Sequence, residues 1–277
     1  MNRAASRKRI PISRSEILPV RPGDLSNPER LAQIAQEPKR THYWSDCWEP
    51  EFYIALAEAG FISTAVPLDD SPFLLLPELQ ESYAVLDWEN LRIDRSVARL
   101  LENSSVRASI TFGFADKVAP VLDHLVASHN RCWIHPPYRN LLNQLEGFVH
   151  PRFRLRAVEV RENSSGTLVA GELGYTLGST YTSLSGFFRR DERRWNNYGK
   201  LQLVMLAGAL RDAGYAFWNL GHPHMAYKTA LGARILPRRE FLNRWRVAIA
   251  EVPQVKCGSG LSLPGVAIGP STTTTSP

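Results

Sequence analysis

The spacing of apolar and polar positions changes several times along the chain, and each change marks an element. From Pro50 to Ala59 the apolar residues follow the helical period, with Ser45 or Asp46 ahead as a cap and Gly60 behind as a stop. Phe73–Leu76 and Ser82–Trp88 read as short strands joined by a turn near Pro77-Glu78. Asp94–Glu102 fits a helix and Val106–Phe112 a strand. Phe114–His129 fits a helix interrupted near Pro120.

The second half has sharper punctuation. Pro136-Pro137 open a helix with Leu141, Leu142, Leu145 and Phe148 on one face. Phe153–Arg161 alternates as a strand, Asn163-Ser164-Ser165-Gly166 is a turn, and Thr167–Thr176 and Ser179–Phe188 are two further strands around Gly178. Asn196 or Asn197 caps a long helix that buries Leu201, Val204, Met205 and Leu210 and stops at Gly214. Tyr215–Leu220 is a buried strand, and His224–Leu231 a short helix closed by Gly232. The order helix, three strands, helix, strand, helix resembles the acetyltransferase-like (GNAT) core. The expected fold is therefore α+β: a GNAT-like core of mixed sheet flanked by helices, with a smaller α/β domain before it. The expected division is a disordered basic tail over 1–35, an N-terminal α/β domain over 36–130, a transferase-like domain over 131–252 and a disordered tail over 253–277. The last is rich in Gly, Ser, Thr and Pro.

Composition narrows the class. A chain of 277 residues is long enough for one or two domains with a real core. It contains no apolar run near the roughly 20 residues that span a bilayer, and no signal-peptide h-region follows the basic N-terminus. Cys47, Cys132 and Cys257 lie too far apart for a disulfide framework or a metal knuckle, which points to a reducing, cytoplasmic compartment. The net charge is +6, and the first 21 residues hold six bases against one acid. The excess thus lies in the tail, which fits a solvated arm, an RNA-touching arm or an organellar targeting peptide. Charge on the folded body has to be judged locally.

Two basic clusters stand out. Phe187 to Lys200 carries Arg189, Arg190, Arg193, Arg194 and Lys200 against two acids, interleaved with Phe187, Phe188, Trp195 and Tyr198. Guanidinium groups grip phosphates and aromatic rings stack on unpaired bases, so this composition suits a single-stranded RNA end as well as a solvated loop. Lys228, Arg234, Arg238, Arg239 and Arg244 form the second cluster. The two make one surface if their loops share an edge of the sheet. His222 and His224 flank Pro223 without a third ligand at suitable spacing, so no metal is expected; a general base and a hydrogen-bonding histidine both remain open. The segment before the long helix, Arg194-Trp195-Asn196-Asn197-Tyr198-Gly199, is not the Gly-rich loop that holds coenzyme A, and no cofactor is expected.

Several ordered blocks resemble the leucyl/phenylalanyl-tRNA–protein transferase family. The most specific are Leu231-Gly232-Ala233 and Pro237-Arg238-Arg239-Glu240-Phe241-Leu242, supported by Cys132-Trp133-Ile134, Asp46 to Ile62, Ser82 to Leu86 and Leu91 to Ser96. The resemblance implies transfer of a Leu- or Phe-like amino acid from aminoacyl-tRNA to the N-terminal amine of a protein or peptide. It implies a substrate pocket at Trp133, Leu184, Ser185, Gly186 and Phe187, and tRNA contacts at Arg189, Arg190, Arg193, Lys200, Arg238 and Arg239. Two departures follow from the same alignment. The family's Glu falls on Leu184, and no Asp stands in Asn219-Leu220-Gly221-His222, leaving Asn219 and His222 as the candidate catalytic pair. Gly186 and Thr64 replace larger residues, so the pocket is expected to be wide. Three functions compete: a working transferase, a non-catalytic relative that binds tRNA or protein N-termini, and a small-molecule acyltransferase.

Overall fold

A computed structural model describes residues 17–68, 71–128 and 133–253. In chain order the first half contains β1 (Leu18–Pro19), α1 (Pro22–Leu25), α2 (Pro28–Gln36), β2 (Tyr43–Trp44), α3 (Pro50–Glu58), β3 (Ile62–Leu68), β4 (Ser71–Glu78), β5 (Ser82–Leu86), α4 (Arg95–Glu102), α5 (Ser104–Ser109), β6 (Ile110–Phe114) and α6 (Ala119–Ser128). The second half contains α7 (Pro136–Gly147), β7 (Phe153–Glu162), β8 (Leu168–Leu177), β9 (Thr180–Phe188), α8 (Tyr198–Asp212), β10 (Phe217–Gly221), α9 (Ala226–Ala230), β11 (Arg234–Pro237) and α10 (Arg238–Ala250).

Seven strands form the central sheet in the order β11-β5-β10-β9-β8-β7-β6. From β6 to β9 neighbours run antiparallel. β9 and β10 are parallel and are joined over one face by α8. β5 runs antiparallel to both β10 and β11. A parallel strand–helix–strand unit within an otherwise antiparallel sheet is the acetyltransferase-like arrangement that the order of elements predicts. Every position of β8 is buried, because helices cover both faces of the sheet. On one face Leu173, Tyr175, Phe187 and Phe217 pack with residues of α3, α6, α7 and α10. On the other, Tyr181, Trp218 and Leu220 pack with Leu201, Met205 and Leu206 of α8.

Several expectations need correction. Residues 17–36 form a strand and two helices, with Asn27 capping α2 through Glu29 N–H and Arg30 N–H; the expected tail over 1–35 is structured from residue 17 onward. β4 pairs with β3, not with β5, so the turn near Pro77-Glu78 joins two different sheets. Val106 lies in α5, capped by Asn103, and the strand begins at Ile110. Pro120 sits in the first turn of α6, where its missing N–H has no helical partner to lose. Glu49, not Ser45 or Asp46, precedes α3, with Pro50 at its first position. The sheet also crosses the expected boundary at residue 130: β5 lies between β10 and β11, and β6 closes the far edge. The expected tail over 253–277 falls outside the described residues, apart from Pro253.

The two most specific sequence blocks are structural. Gly232 has φ 108°, and a Cβ there would overlap the Asn90 carbonyl. That close approach lets the Arg92 N–H donate to Leu231 O at 2.8 Å, tying the segment before α4 to the end of α9. Arg238, expected to bind tRNA, is 2% exposed. Its guanidinium donates to the carbonyls of Glu37, Pro38, Arg40, Leu79 and Gln80, which leaves essentially no donor for phosphate. Gly232→Ala should lower unfolding free energy by about 2–4 kcal/mol through strain and overlap. Arg238→Ala should cost about 3 kcal/mol or more by stranding buried carbonyls, and should leave the salt slope of any RNA binding unchanged. Urea denaturation and salt titration of binding check both; a stable Arg238→Ala protein with a reduced salt slope would restore the residue to the RNA surface.

Candidate active site

β9 and β10 pair only through Phe217↔Thr180, Trp218↔Tyr181 and Asn219↔Thr182. β9 continues to Phe188 alongside β8, while β10 bulges against β5 and ends at Gly221, φ 71°. From Ser183 onward the two parallel strands therefore part and leave a wedge. β9, β10 and β11 all run the same way, so the segments that follow them (189–197, 222–225 and the start of α10) share one end of the sheet. Carboxyl ends of parallel strands, at a break in the pairing, are where α/β layers commonly hold ligands.

On the α7 side the wedge is apolar. The half-buried Trp133 meets Tyr138 edge-on at 4.9 Å, and Trp48 meets the same ring at 6.3 Å. Tyr138 is fixed by hydroxyl bonds to Tyr53 and to the Ser63 carbonyl. Leu184 borders the same core as Trp133 and Trp48. Phe187 is buried in the same core and stacks on His124 at 5.2 Å. Ser185 is half-buried, and Gly186 is exposed on the opposite face of β9, over the Glu172 stem. Cys132 lies outside the described residues.

His222 follows β10 directly and is 45% exposed at the side chain; its Nε2 lies 3.1 Å from Glu78 Oε2. His42 approaches the other oxygen of Glu78 at 3.9 Å. A carboxylate on one ring nitrogen orients an imidazole. The pairing exists because β4 ends beside the bulge of β10, a tertiary juxtaposition with no signal in the local sequence. Asn219, the other candidate, is buried: its Oδ1 accepts the Gly221 N–H at 2.9 Å and its Nδ2 reaches Thr182 Oγ1 at 3.4 Å. It shapes the bulge rather than facing the wedge.

On the α8 side lies a group that sequence reasoning missed. Glu172 of β8 is 3% exposed. Ser183 Oγ donates to its Oε1 at 2.6 Å, Gln202 Nε2 approaches Oε2 at 3.5 Å, and Trp218 Nε1 donates to Ser183 Oγ at 2.8 Å. Burial raises the Glu172 pKa to about 7 against the pull of these bonds and of Lys228. Lys228, counted in the second basic cluster, is buried and donates to the carbonyls of Leu220 and His222, closing the end of β10. Burial lowers its pKa to about 8, and Glu172 opposes that shift. The available signal was a single acid in Leu168–Leu177, a run otherwise without charge.

The basic segment is more internally paired than its composition suggests. Arg189 pairs with Asp191, Lys200 with Asp94, and Arg194 with Glu192 and Glu162. Trp195 and Tyr198 are core residues, and Arg190 covers Phe188 at 4.7 Å, so these rings are not open to stacking. Arg190, Arg193 and Arg239 are exposed, with no carboxylate partner among the described residues. Arg239 lies in the first turn of α10, on the opposite face from α8 but at the same sheet end. Among the described residues no group of three or more His, Cys, Asp or Glu is disposed to hold a metal ion, and no helix is long and apolar enough to cross a membrane.

Curated relatives at this level of similarity carry one name. Leucyl/phenylalanyl-tRNA–protein transferase of Paracoccus denitrificans is 27% identical over 60% of this chain and 70% of its own length. The Cereibacter sphaeroides enzyme is 29% identical over 58% and 68%. The Roseobacter denitrificans enzyme is 27% identical over 73% and 87%. A solved C-terminal domain of a putative lysylphosphatidylglycerol synthetase from Agrobacterium fabrum aligns over 77% of this chain and 71% of that one, at 16% identity and TM-score 0.41, a likeness too loose to carry an argument. The family model of leucyl/phenylalanyl-tRNA protein transferase matches residues 85–246, from within β5 to within α10, and the chain belongs to that family.

Proposed function

We propose that this chain moves a Leu- or Phe-like aminoacyl group from charged tRNA to the N-terminal α-amine of an acceptor protein, in the cytoplasm, as a modification of the kind that marks proteins for degradation. The observation that supports this most is the wedge at Ser183, apolar on its α7 side and bordered by the His222–Glu78 pair. An aminoacyl ester is already activated, so the enzyme has to align two reactants and manage protons. The acceptor α-amine, with an ordinary pKa near 8, is mostly ammonium at pH 7 and must lose a proton before attack. His222, aligned by Glu78, takes it. The amino-acid side chain lies against Trp133 and Leu184 with Phe187 behind. Arg190, Arg193 and Arg239 meet phosphates, while Arg189 and Lys200 exchange Asp191 and Asp94 for them. As written, the reaction calls for neither coenzyme A nor a metal.

The non-catalytic alternative draws on Leu184, which carries no carboxylate, and on the enclosed Asn219. Purified protein, tRNA charged with labelled Leu or Phe, and a peptide beginning with Arg or Lys separate the two. Label should appear on the peptide; tRNA binding without transfer would support the alternative. His222→Ala should lower kcat at pH 7 by about 100-fold, with the deficit shrinking above pH 8.5, where the amine is already neutral. A full rate for that variant from pH 6 to 9 would exclude the imidazole as base. Arg193→Ala and Arg239→Ala should each weaken tRNA binding and flatten its salt dependence by about one phosphate contact; unchanged affinity and slope in both would remove the RNA surface from this end of the sheet.

A further inference from the structure

The attacking nitrogen has two protons to lose: one before attack, which His222 takes, and one after the new bond forms. The departing ribose oxygen has one to gain. We propose that Ser183 and Glu172 form a proton relay at the vertex of the wedge, moving that second proton from the acceptor nitrogen to the leaving oxygen. The inference rests on the transferase reading and adds a proton path to the same site.

Position is the first argument. Ser183 is the first residue of β9 beyond the last pair with β10, and it is only half-buried. Glu172 lies behind it, enclosed between the sheet, α8 and α9. Substrate therefore meets the hydroxyl and not the carboxylate. Ser183 is the residue that touches the reacting atoms, and Glu172 is a positioning residue acting through it.

Hydrogen-bond capacity is the second argument. A serine hydroxyl has one proton and two lone pairs. With Glu172 ionised, that proton points at Oε1 and the Trp218 indole N–H fills one lone pair, leaving the other open toward the wedge. That lone pair accepts the amine proton while the hydroxyl proton passes to Glu172. With Glu172 protonated the chain reverses: the acid donates to Ser183 Oγ, and the hydroxyl points outward to the oxygen that must leave. The N–C bond forms in the first stage and the C–O bond to the ribose breaks in the second. The relay ends in the state in which it began, so no further proton source is needed.

The surroundings suit a carboxylate that works in both forms. Glu172 faces Ser183 and Tyr181 on β9, Gln202 on α8, and Lys228 and Tyr227 on α9. Burial opposes its ionisation, while Lys228 and the hydrogen bonds from Ser183 and Gln202 favour it. Its pKa of about 7 leaves both forms populated at neutral pH, where a relay is most efficient. A purely structural acid at that position would need no hydroxyl opening on the wedge.

The test uses the full-length chain, charged tRNA and an acceptor peptide. Ser183→Ala and Glu172→Gln should each lower kcat by about 100-fold with little change in KM for either substrate. The double variant should be no slower than the worse single one, because groups that act as a unit lose their function together. Below pH 6.5, log(kcat/KM) against pH should be shallower by about one unit of slope in Glu172→Gln than in the parent, since one fewer group must ionise. Folding is checked independently: parent stability attributable to Glu172 should fall as pH rises from about 4.5 to about 7, because the folded pKa lies above the unfolded one, and Glu172→Gln should lack that fall. Rates within twofold of the parent in both single variants, losses that multiply in the double variant, or an unchanged acid limb would each overturn the relay while leaving the transferase reading in place. A parent protein that transfers nothing from any charged tRNA overturns both.

Discussion

The parting of β9 from β10 is the constraint on which the rest of the structure depends. Three residue pairs hold the parallel strands together, and then pairing stops in the middle of a seven-stranded sheet. Unpaired backbone within a buried sheet is costly unless other partners serve it. Here Lys228 holds the carbonyls of Leu220 and His222, Asn219 holds the Gly221 N–H, and β5 supports the far side of β10. These bonds keep the wedge open without substrate. A site assembled in advance has less conformational freedom to lose when substrate binds, which matters for a reaction that depends on aligning two large partners.

Each flank of the wedge has its own carboxylate in its own environment. Glu78 is at the rim and pairs with an exposed imidazole; Glu172 is enclosed and pairs with a hydroxyl. On the proposed reading, the first carboxylate aligns the base that frees the incoming amine, and the second serves the transfer of the remaining proton to the outgoing oxygen. The two flanks also belong to different cores, one built with α7 and α10 and the other with α8. The wedge is where these cores meet across the sheet.

The blocks that identify the family most clearly are far from chemistry in their effect. Gly232 is needed because a Cβ would occupy the space of the Asn90 carbonyl, and Arg238 because five carbonyls from the 37–40 and 79–80 segments converge on one guanidinium. Both pin the end of the sheet that carries His222 and the start of α10. Leu184 carries no acid and faces α7, while Glu172, on the neighbouring strand, faces α8 behind Ser183.

Local pattern alone determined much of this protein. The helical period of Tyr198–Asp212, the alternation of Phe153–Glu162, the turn at Asn163 to Gly166 and the stop at Gly214 are written in short-range preferences, and those elements form where their residues imply. The resemblance in Leu231 to Leu242 carried the family. Tertiary structure decided the partners. It paired β4 with β3 rather than β5, inserted β5 between β10 and β11, and buried Lys228 and Arg238 of the second basic cluster. It also brought Glu78 to His222, 144 positions apart in the chain, and set Glu172 behind Ser183 across a bulged pair of strands. The reason is physical: a charged side chain in a sequence does not state whether its partner will be water, phosphate or a carbonyl from a distant turn. Only the packed chain, by removing water from some of these groups and not others, settles which of them do chemistry and which hold the fold.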